Sequence, residues 1–271
     1  MSGSPPRPML VFAHANSFPA GSYRKLFALL EPSFVIGAPS RLGHDPEHPV
    51  TDSWPHLRQE LLSFVRRHAH DRRVILVGHS LGGLLGLMLA EHAPALLRCV
   101  IMLDAPLVVG WRAAALWAGK RSGLVRRIAP VAPALRRRTQ WPDLSAVTRH
   151  FEGKAPFAKW DPEMLADYAR AGTRQEGGQR ILAFDRDIEA RIYATLPHGL
   201  GRVLRNPPQV PVGFIGGTTS QELRMAGMAA TRRLVGPNLR WIEGGSHLFP
   251  FEQPEATAMA ILDLVHVLAP A

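Results

Sequence analysis

Several things are scarce in this chain of 271 residues, and each absence excludes something. There is one cysteine, Cys99, so no internal disulfide can form. A lone thiol fits a reducing compartment, and a cytoplasmic location is expected. No stretch reaches the roughly 18 apolar residues of a membrane span. The opening residues, Met1-Ser-Gly-Ser-Pro-Pro-Arg-Pro8, lack the apolar run of a secretory leader. Stable membrane insertion is therefore not expected. Acidic residues are outnumbered 22 to 32 by lysine and arginine, for a formal net charge of +10. No nucleic-acid-binding motif accompanies that excess, so it reads as a solvated, arginine-rich surface and no nucleic-acid partner is expected. Metal-ligand spacings, phosphate loops and dinucleotide fingerprints are missing too, so neither a metal nor another cofactor is expected.

What is present is ordinary globular material, 46% hydrophobic and 20% charged. It is organised around Val74-Ile-Leu-Val-Gly-His-Ser-Leu-Gly-Gly83. Val74 to Val77 reads as a buried strand, and Leu84 to Ala90 as an apolar helix. Between them Gly78, Ser80 and Gly82 make a Gly-x-Ser-x-Gly turn. Strand, sharp turn and helix in that order is the context of a nucleophile elbow. The glycines let backbone pack closely on both sides of Ser80, whose hydroxyl is lifted toward a helix N-terminus that favours developing negative charge.

Gly78-His-Ser-Leu-Gly-Gly83 resembles the elbow of the α/β-hydrolase superfamily. The resemblance extends to His14-Ala-Asn-Ser-Phe-Pro19 before it and to Gly244-Gly-Ser-His247 near the end. The expected fold is α/β, a mostly parallel sheet of about six strands flanked by helices. Met9–Ala13, Phe34–Ile36, Val74–Val77, Cys99–Leu103, Val210–Ile215 and Asn238–Ile242 are the strand candidates, and helices are expected over Ser22–Leu30, Gln221–Leu234 and Pro254–Leu268. From 107 to 208 the β/α rhythm stops. Helices are expected there at Gly110–Trp117, Leu124–Ile128 and Asp161–Tyr168, with no strand pattern. We therefore divide the chain into a core, 1–106 with 209–271, and an inserted helical cap, 107–208.

A serine hydroxyl needs a base within hydrogen-bond reach to act as a nucleophile at neutral pH. His247, on the loop after the last strand, follows Ser80 in the chain order this family uses. The family commonly places the orienting acid after the strand Val210–Ile215, near 220, and no aspartate stands there. Asp104, at the end of the strand after the elbow helix, is the position of a variant arrangement and the stronger candidate, and Glu222 is the second. The resemblance also implies an oxyanion hole made of the Leu81 backbone N–H and one from the loop holding Asn16 and Ser17, with Phe18 a third possibility. His14 is expected to pin its loop, and His79 to pack away from the chemistry.

The reading is a serine hydrolase cleaving a carboxylic ester or similar acyl bond of a small or lipid-like molecule. Trp111, Trp117, Trp141, Phe151, Phe157 and Trp160 are candidates for an acyl pocket. The alternatives are carbon–carbon bond hydrolysis, perhydrolase or lyase chemistry on the same residues, and a non-catalytic binding protein on this scaffold.

Overall fold

A computed structural model of the chain describes residues 7–69, 72–127 and 130–270. Strand and helix alternate through β1 (Met9–Ala13), α1 (Arg24–Leu30), β2 (Val35–Gly37), α2 (Pro55–Ala69), β3 (Val74–His79), α3 (Leu81–His92) and β4 (Leu97–Leu103). An insertion follows, with α4 (Gly110–Arg121), α5 (Val131–Leu135), β5 (Gln140–Trp141), α6 (Leu144–Glu152), α7 (Pro162–Ala171), β6 (Thr173–Glu176), β7 (Gln179–Leu182) and α8 (Arg186–Ala194). The alternation resumes with β8 (Val212–Gly217), α9 (Gln221–Ala226), α10 (Ala229–Val235), β9 (Leu239–Ile242), α11 (Phe249–Glu252) and α12 (Pro254–Leu268).

Six strands pair in the order β2-β1-β3-β4-β8-β9, each pair parallel. This is the doubly covered parallel sheet expected of strands that read as unbroken apolar runs. Alternation along each strand sends side chains to opposite faces. Val11, Leu76, Val100 and Met102 join α2 and α3 on one side. Leu10, Phe12, Ile75, Val77, Cys99 and Ile101 join α1 and α12 on the other. Every residue of β3 is buried, and so is every residue of α3 from Leu81 to Ala90. A helix that is apolar all round belongs in such a place.

The insertion is not purely helical, which corrects the sequence expectation. β5, β7 and β6 form a small antiparallel sheet of three strands. Its hairpin turns on Gly177 and Gly178, with φ of 56° and 79°. Two adjacent positive φ values describe the tight hairpin turn that Gly-Gly serves. The flanking strands, Thr-Arg-Gln-Glu and Gln-Arg-Ile-Leu, are largely solvent-facing and carry too few apolar residues for alternation to stand out. The Gly-Gly pair was the available signal. A second correction concerns the helix expected over Gln221–Leu234. It breaks at Gly227 into α9 and α10. The chain start at 1–6 and the Ile128 end of the expected Leu124–Ile128 helix lie outside the described residues. Leu124–Arg127 itself is a 3-10 turn.

The elbow depends on missing side-chain volume. A Cβ on Gly82 would lie 1.9 Å from the Ala13 carbonyl oxygen, and one on Gly78 would lie 2.3 Å from the Gly82 carbonyl group. Both obstacles are backbone of the sheet and helix that carry Ser80, so neither can yield cheaply. Gly82→Ala is expected to destabilise the fold by about 3 kcal/mol or more, measured by denaturant unfolding.

Candidate active site

Ser80 lies between β3 and α3 with φ of 51° and ψ of −110°. A non-glycine residue in this region is strained, and the strain is held by the buried elements on both sides. Ser80 N–H donates to Leu103 O at 2.9 Å, which ties the turn to the end of β4. Asp104 is the next residue along that strand end, also at positive φ, 43°. His247 is on the loop between β9 and α11. These three residues are 167 and 143 positions apart in sequence yet form one chain. His247 Nε2 lies 3.1 Å from Ser80 Oγ, and His247 Nδ1 lies 2.8 Å from Asp104 Oδ1.

The carboxylate of Asp104 is fully buried and satisfied on both oxygens. Besides the imidazole, Oδ1 accepts from Ser220 Oγ at 2.6 Å, and Oδ2 accepts from Gly217 N–H at 2.9 Å. Ser220 therefore stands near the position expected of the acid, and instead donates a hydrogen bond to Asp104. Its Oγ also caps α9 by accepting from Leu223 N–H. Glu222 does not reach the imidazole: its Oε2 is 3.9 Å from His247 Nδ1 on a side chain 43% exposed.

This geometry sets the proton positions. A carboxylate can only accept, so His247 Nδ1 carries hydrogen toward Asp104 and Nε2 is free to accept from Ser80 O–H. Burial disfavours the imidazolium of His247. The Asp104 hydrogen bond and charge, with a smaller contribution from Glu222, outweigh that and raise its pKa above the ordinary 6.5.

His79 has a larger part than its sequence reading suggested. It is fully buried, and its Nε2 lies 2.9 Å from the His247 carbonyl oxygen. Burial, followed by the neighbouring His247, lowers its pKa to about 3, so the ring is neutral at pH 7. Nε2–H must then donate to that carbonyl. Nδ1 accepts from Tyr23 O–H at 2.8 Å, and Tyr23 in turn accepts from Ala15 N–H at 3.2 Å. This buried relay joins the His14 loop to the backbone of His247. Sequence alone offered no signal for it, because Tyr23 reads as one apolar-face residue of a helix.

The His14 loop is a tight turn closed by Phe18 N–H on Ala15 O, which removes Phe18 as a free donor. Asn16 and Ser17 are its central residues, Ser17 at φ 74°. Their backbone N–H groups have no acceptor among the described residues. Leu81 opens α3, so its N–H has no partner within the helix. His14 pins the loop by accepting from Leu42 N–H at 2.8 Å. Its pKa is lowered to about 4, chiefly by burial.

The insertion holds the same loop from above. Asn16 Nδ2 donates to Glu189 O at 3.0 Å, and Ser17 Oγ donates to the Glu189 carboxylate. Arg137 pairs with that carboxylate at 2.7 Å and with Tyr168 Oη at 3.1 Å. Of the aromatic candidates, Trp141, Phe151 and Trp160 are buried, and Phe157 packs against them. Trp160 stacks on Phe251 at 4.2 Å. These four pack the insertion together and onto the core. Trp111 and Trp117 face solvent.

Two clusters have the spacing to share a cation among the described residues: Asp104, Glu222 and His247, and the loop group Asp45, Glu47 and His48. In the first, both Asp104 oxygens and His247 Nδ1 are already used by each other and by Ser220 and Gly217, so the donor set is committed without an ion. No helix is long and apolar enough to cross a membrane among the described residues.

Comparison with known proteins agrees with the fold. The profile of the Alpha/beta hydrolase family matches residues 10–260. Among solved structures, E-2-(acetamidomethylene)succinate hydrolase superposes with a TM-score of 0.75 at 24% identity, covering 96% of this chain and 92% of that one. The peroxisomal alpha-beta-hydrolase Lpx1 of Saccharomyces cerevisiae gives 0.73 at 16% identity, over 97% and 77%. A thioesterase domain from the curacin biosynthetic pathway gives 0.68 at 19%, over 96% and 92%. No curated protein sequence matches the chain.

Proposed function

The chain belongs to the Alpha/beta hydrolase family, and on that premise we propose that it is a serine hydrolase acting on a carboxylic ester or similar acyl bond. The observation that carries this reading is the unbroken chain from Asp104 through His247 to Ser80 Oγ. In the proposed mechanism His247 Nε2 takes the Ser80 proton as the oxygen attacks the acyl carbon. Asp104 holds the imidazole in the required tautomer and stabilises the imidazolium. The tetrahedral oxyanion faces the Leu81 N–H and an N–H from Asn16 or Ser17, donors worth about 3 kcal/mol each at such sites. The imidazolium returns its proton to the leaving group. Water, activated by the same base, then releases the acyl group from Ser80. The insertion acts as a cap: Glu189 fixes the loop that supplies the second oxyanion donor. No cofactor takes part in this scheme, and the partner is a small-molecule acyl substrate. The likeness to a thioesterase domain is compatible with an acyl bond as the target.

A fluorophosphonate probe tests the reading directly. It should label wild-type protein at Ser80, with labelling lost in Ser80→Ala and in His247→Ala. A folded sample that stays unlabelled and cleaves no member of an ester and thioester panel would instead make the chain a binding scaffold.

The pH profile is a separate check. The base must be neutral to accept a proton, so kcat/KM should rise with pH through the His247 pKa of the free enzyme. That limb should fall above pH 6.5, because Asp104 and Glu222 together raise the imidazole. Glu222→Gln removes one of the two charges and should move the limb to lower pH while leaving the plateau rate within about tenfold. A limb that does not move would show that Glu222 is electrostatically silent at His247.

A further inference from the structure

α4 is inverted relative to an ordinary surface helix. At 100° per residue, Trp111, Ala114, Ala115, Trp117 and Ala118 fall within about 160° of its circumference, an arc that also holds Gly110 and Arg121. All five are exposed, and Trp111 is 71% exposed. The opposite face carries Lys120, whose side chain is 10% exposed. Its ammonium pairs with the Asp52 carboxylate and donates to Leu196 O and His198 Nδ1 at 3.0 Å each. The helix thus turns its lysine toward the protein and its tryptophans toward solvent. No residue of this 12-residue helix is buried. A soluble amphipathic helix has the reverse arrangement.

The charge carried by this segment of the chain is of one sign. Between 110 and 138 there are eight arginines and lysines and no acidic residue, so this segment supplies 8 of the net +10. Only Lys120 and Arg137 of the eight have an acidic partner among the described residues. Two of the cations are held over the tryptophans, Arg112 at 4.6 Å from the Trp111 ring and Arg121 at 5.5 Å from the Trp117 ring. The 3-10 turn that follows adds exposed Leu124 beside Arg126 and Arg127.

We infer that α4 and the turn after it form a docking surface for an anionic lipid bilayer. Indoles favour the boundary between headgroups and acyl chains, where one end of the ring is wet and the other apolar. Alanines beside them let the helix lie flat on that boundary. The arginines held at ring level meet lipid phosphates, and the unpaired cations add attraction to a negative surface. A second copy of the same face is disfavoured, since it would place two acid-free cationic segments against each other. A nucleic acid would satisfy the cations but has no use for the exposed tryptophans and alanines between them. The binding is peripheral and reversible, because one short helix buries little apolar area.

Flotation with vesicles tests this independently of the hydrolytic reading, since it uses no substrate and Ser80→Ala protein should float as the wild type does. Wild-type protein should float with phosphatidylcholine vesicles containing about 30 mol% phosphatidylglycerol, and not with phosphatidylcholine alone. Raising salt from about 0.05 to 0.5 M should lower the bound fraction at least about tenfold, because screening removes the cationic attraction. The double substitution Trp111→Ala, Trp117→Ala should lower partitioning by about tenfold or more with the thermal midpoint unchanged, since both rings are outside the packed core. Equal flotation with both lipid compositions would overturn the proposal. So would wild-type partitioning of the double variant, or retention on heparin with no vesicle binding.

Discussion

Ser80→Ala is expected to lower kcat by about 10⁶-fold, with the protein still folded. The effect is this large because the proposed residues act as a unit. Without the hydroxyl, His247 has no nucleophile to activate, and without His247 the hydroxyl keeps its proton. The two substitutions should therefore not add: a Ser80→Ala, His247→Ala double variant should be no slower than either single variant, leaving only the contribution of binding and oxyanion donors. The folded state should tolerate the change. Ser80 side-chain volume is small, and the elbow is held by the Gly78 and Gly82 contacts and by the Ser80 N–H bond to Leu103 O, which alanine retains. Pre-steady-state kinetics on an activated ester checks both statements: the wild type should show a burst equal to the enzyme concentration, and the single and double variants none. A Ser80→Ala protein retaining more than about a hundredth of wild-type kcat would place the nucleophile elsewhere.

Asp104→Asn is expected to lower kcat by about 10⁴-fold, whereas Glu222→Gln should cost less than tenfold. The reason is a count of donors. Asp104 receives three hydrogens, from His247 Nδ1, Ser220 Oγ and Gly217 N. Asparagine keeps the shape but offers one oxygen and an NH2 group. At least one of those donors then faces another donor, and an imidazole that turns to present its other tautomer no longer accepts from Ser80. The same conflict leaves a buried polar group unsatisfied, so a stability loss of about 1–3 kcal/mol should accompany the kinetic loss. Measuring kcat and unfolding on the same sample separates the two effects. Glu222, by contrast, is a half-exposed carboxylate outside hydrogen-bond distance of the imidazole; it makes a long 3.4 Å contact with Ser220 Oγ and acts on His247 through its charge. If Glu222→Gln proved the more damaging substitution, the acid would belong on α9.

Ser220 explains why the acid was ambiguous from residues alone. A serine at that position can be a helix cap with no further meaning, and it is a cap here. Its hydroxyl hydrogen nevertheless points at Asp104, one strand away. Neighbouring parallel strands end at the same edge of the sheet, so either strand can deliver a carboxylate to the same imidazole. Which one does so depends on where the His247 loop comes down, and no local pattern records that.

What the sequence determined by itself is everything whose physics is local. Apolar runs of strand length, the Gly-x-Ser-x-Gly turn between a strand and an apolar helix, and the alternation of the two element types specify the parallel sheet and its elbow, because each is set by neighbours within a few residues. The tertiary structure alone decided what depends on residues far apart meeting. It united Ser80, Asp104 and His247, built the Ala15–Tyr23–His79 relay behind them, and brought Glu189 from the insertion onto the Asn16-Ser17 turn. It also sorted six aromatic side chains that look alike in the sequence, burying Trp141, Phe151 and Trp160, packing Phe157 against them, and leaving Trp111 and Trp117 on the surface. A tryptophan carries the same apolar area in either place, and only the arrangement of the rest of the chain determines whether protein or solvent meets it.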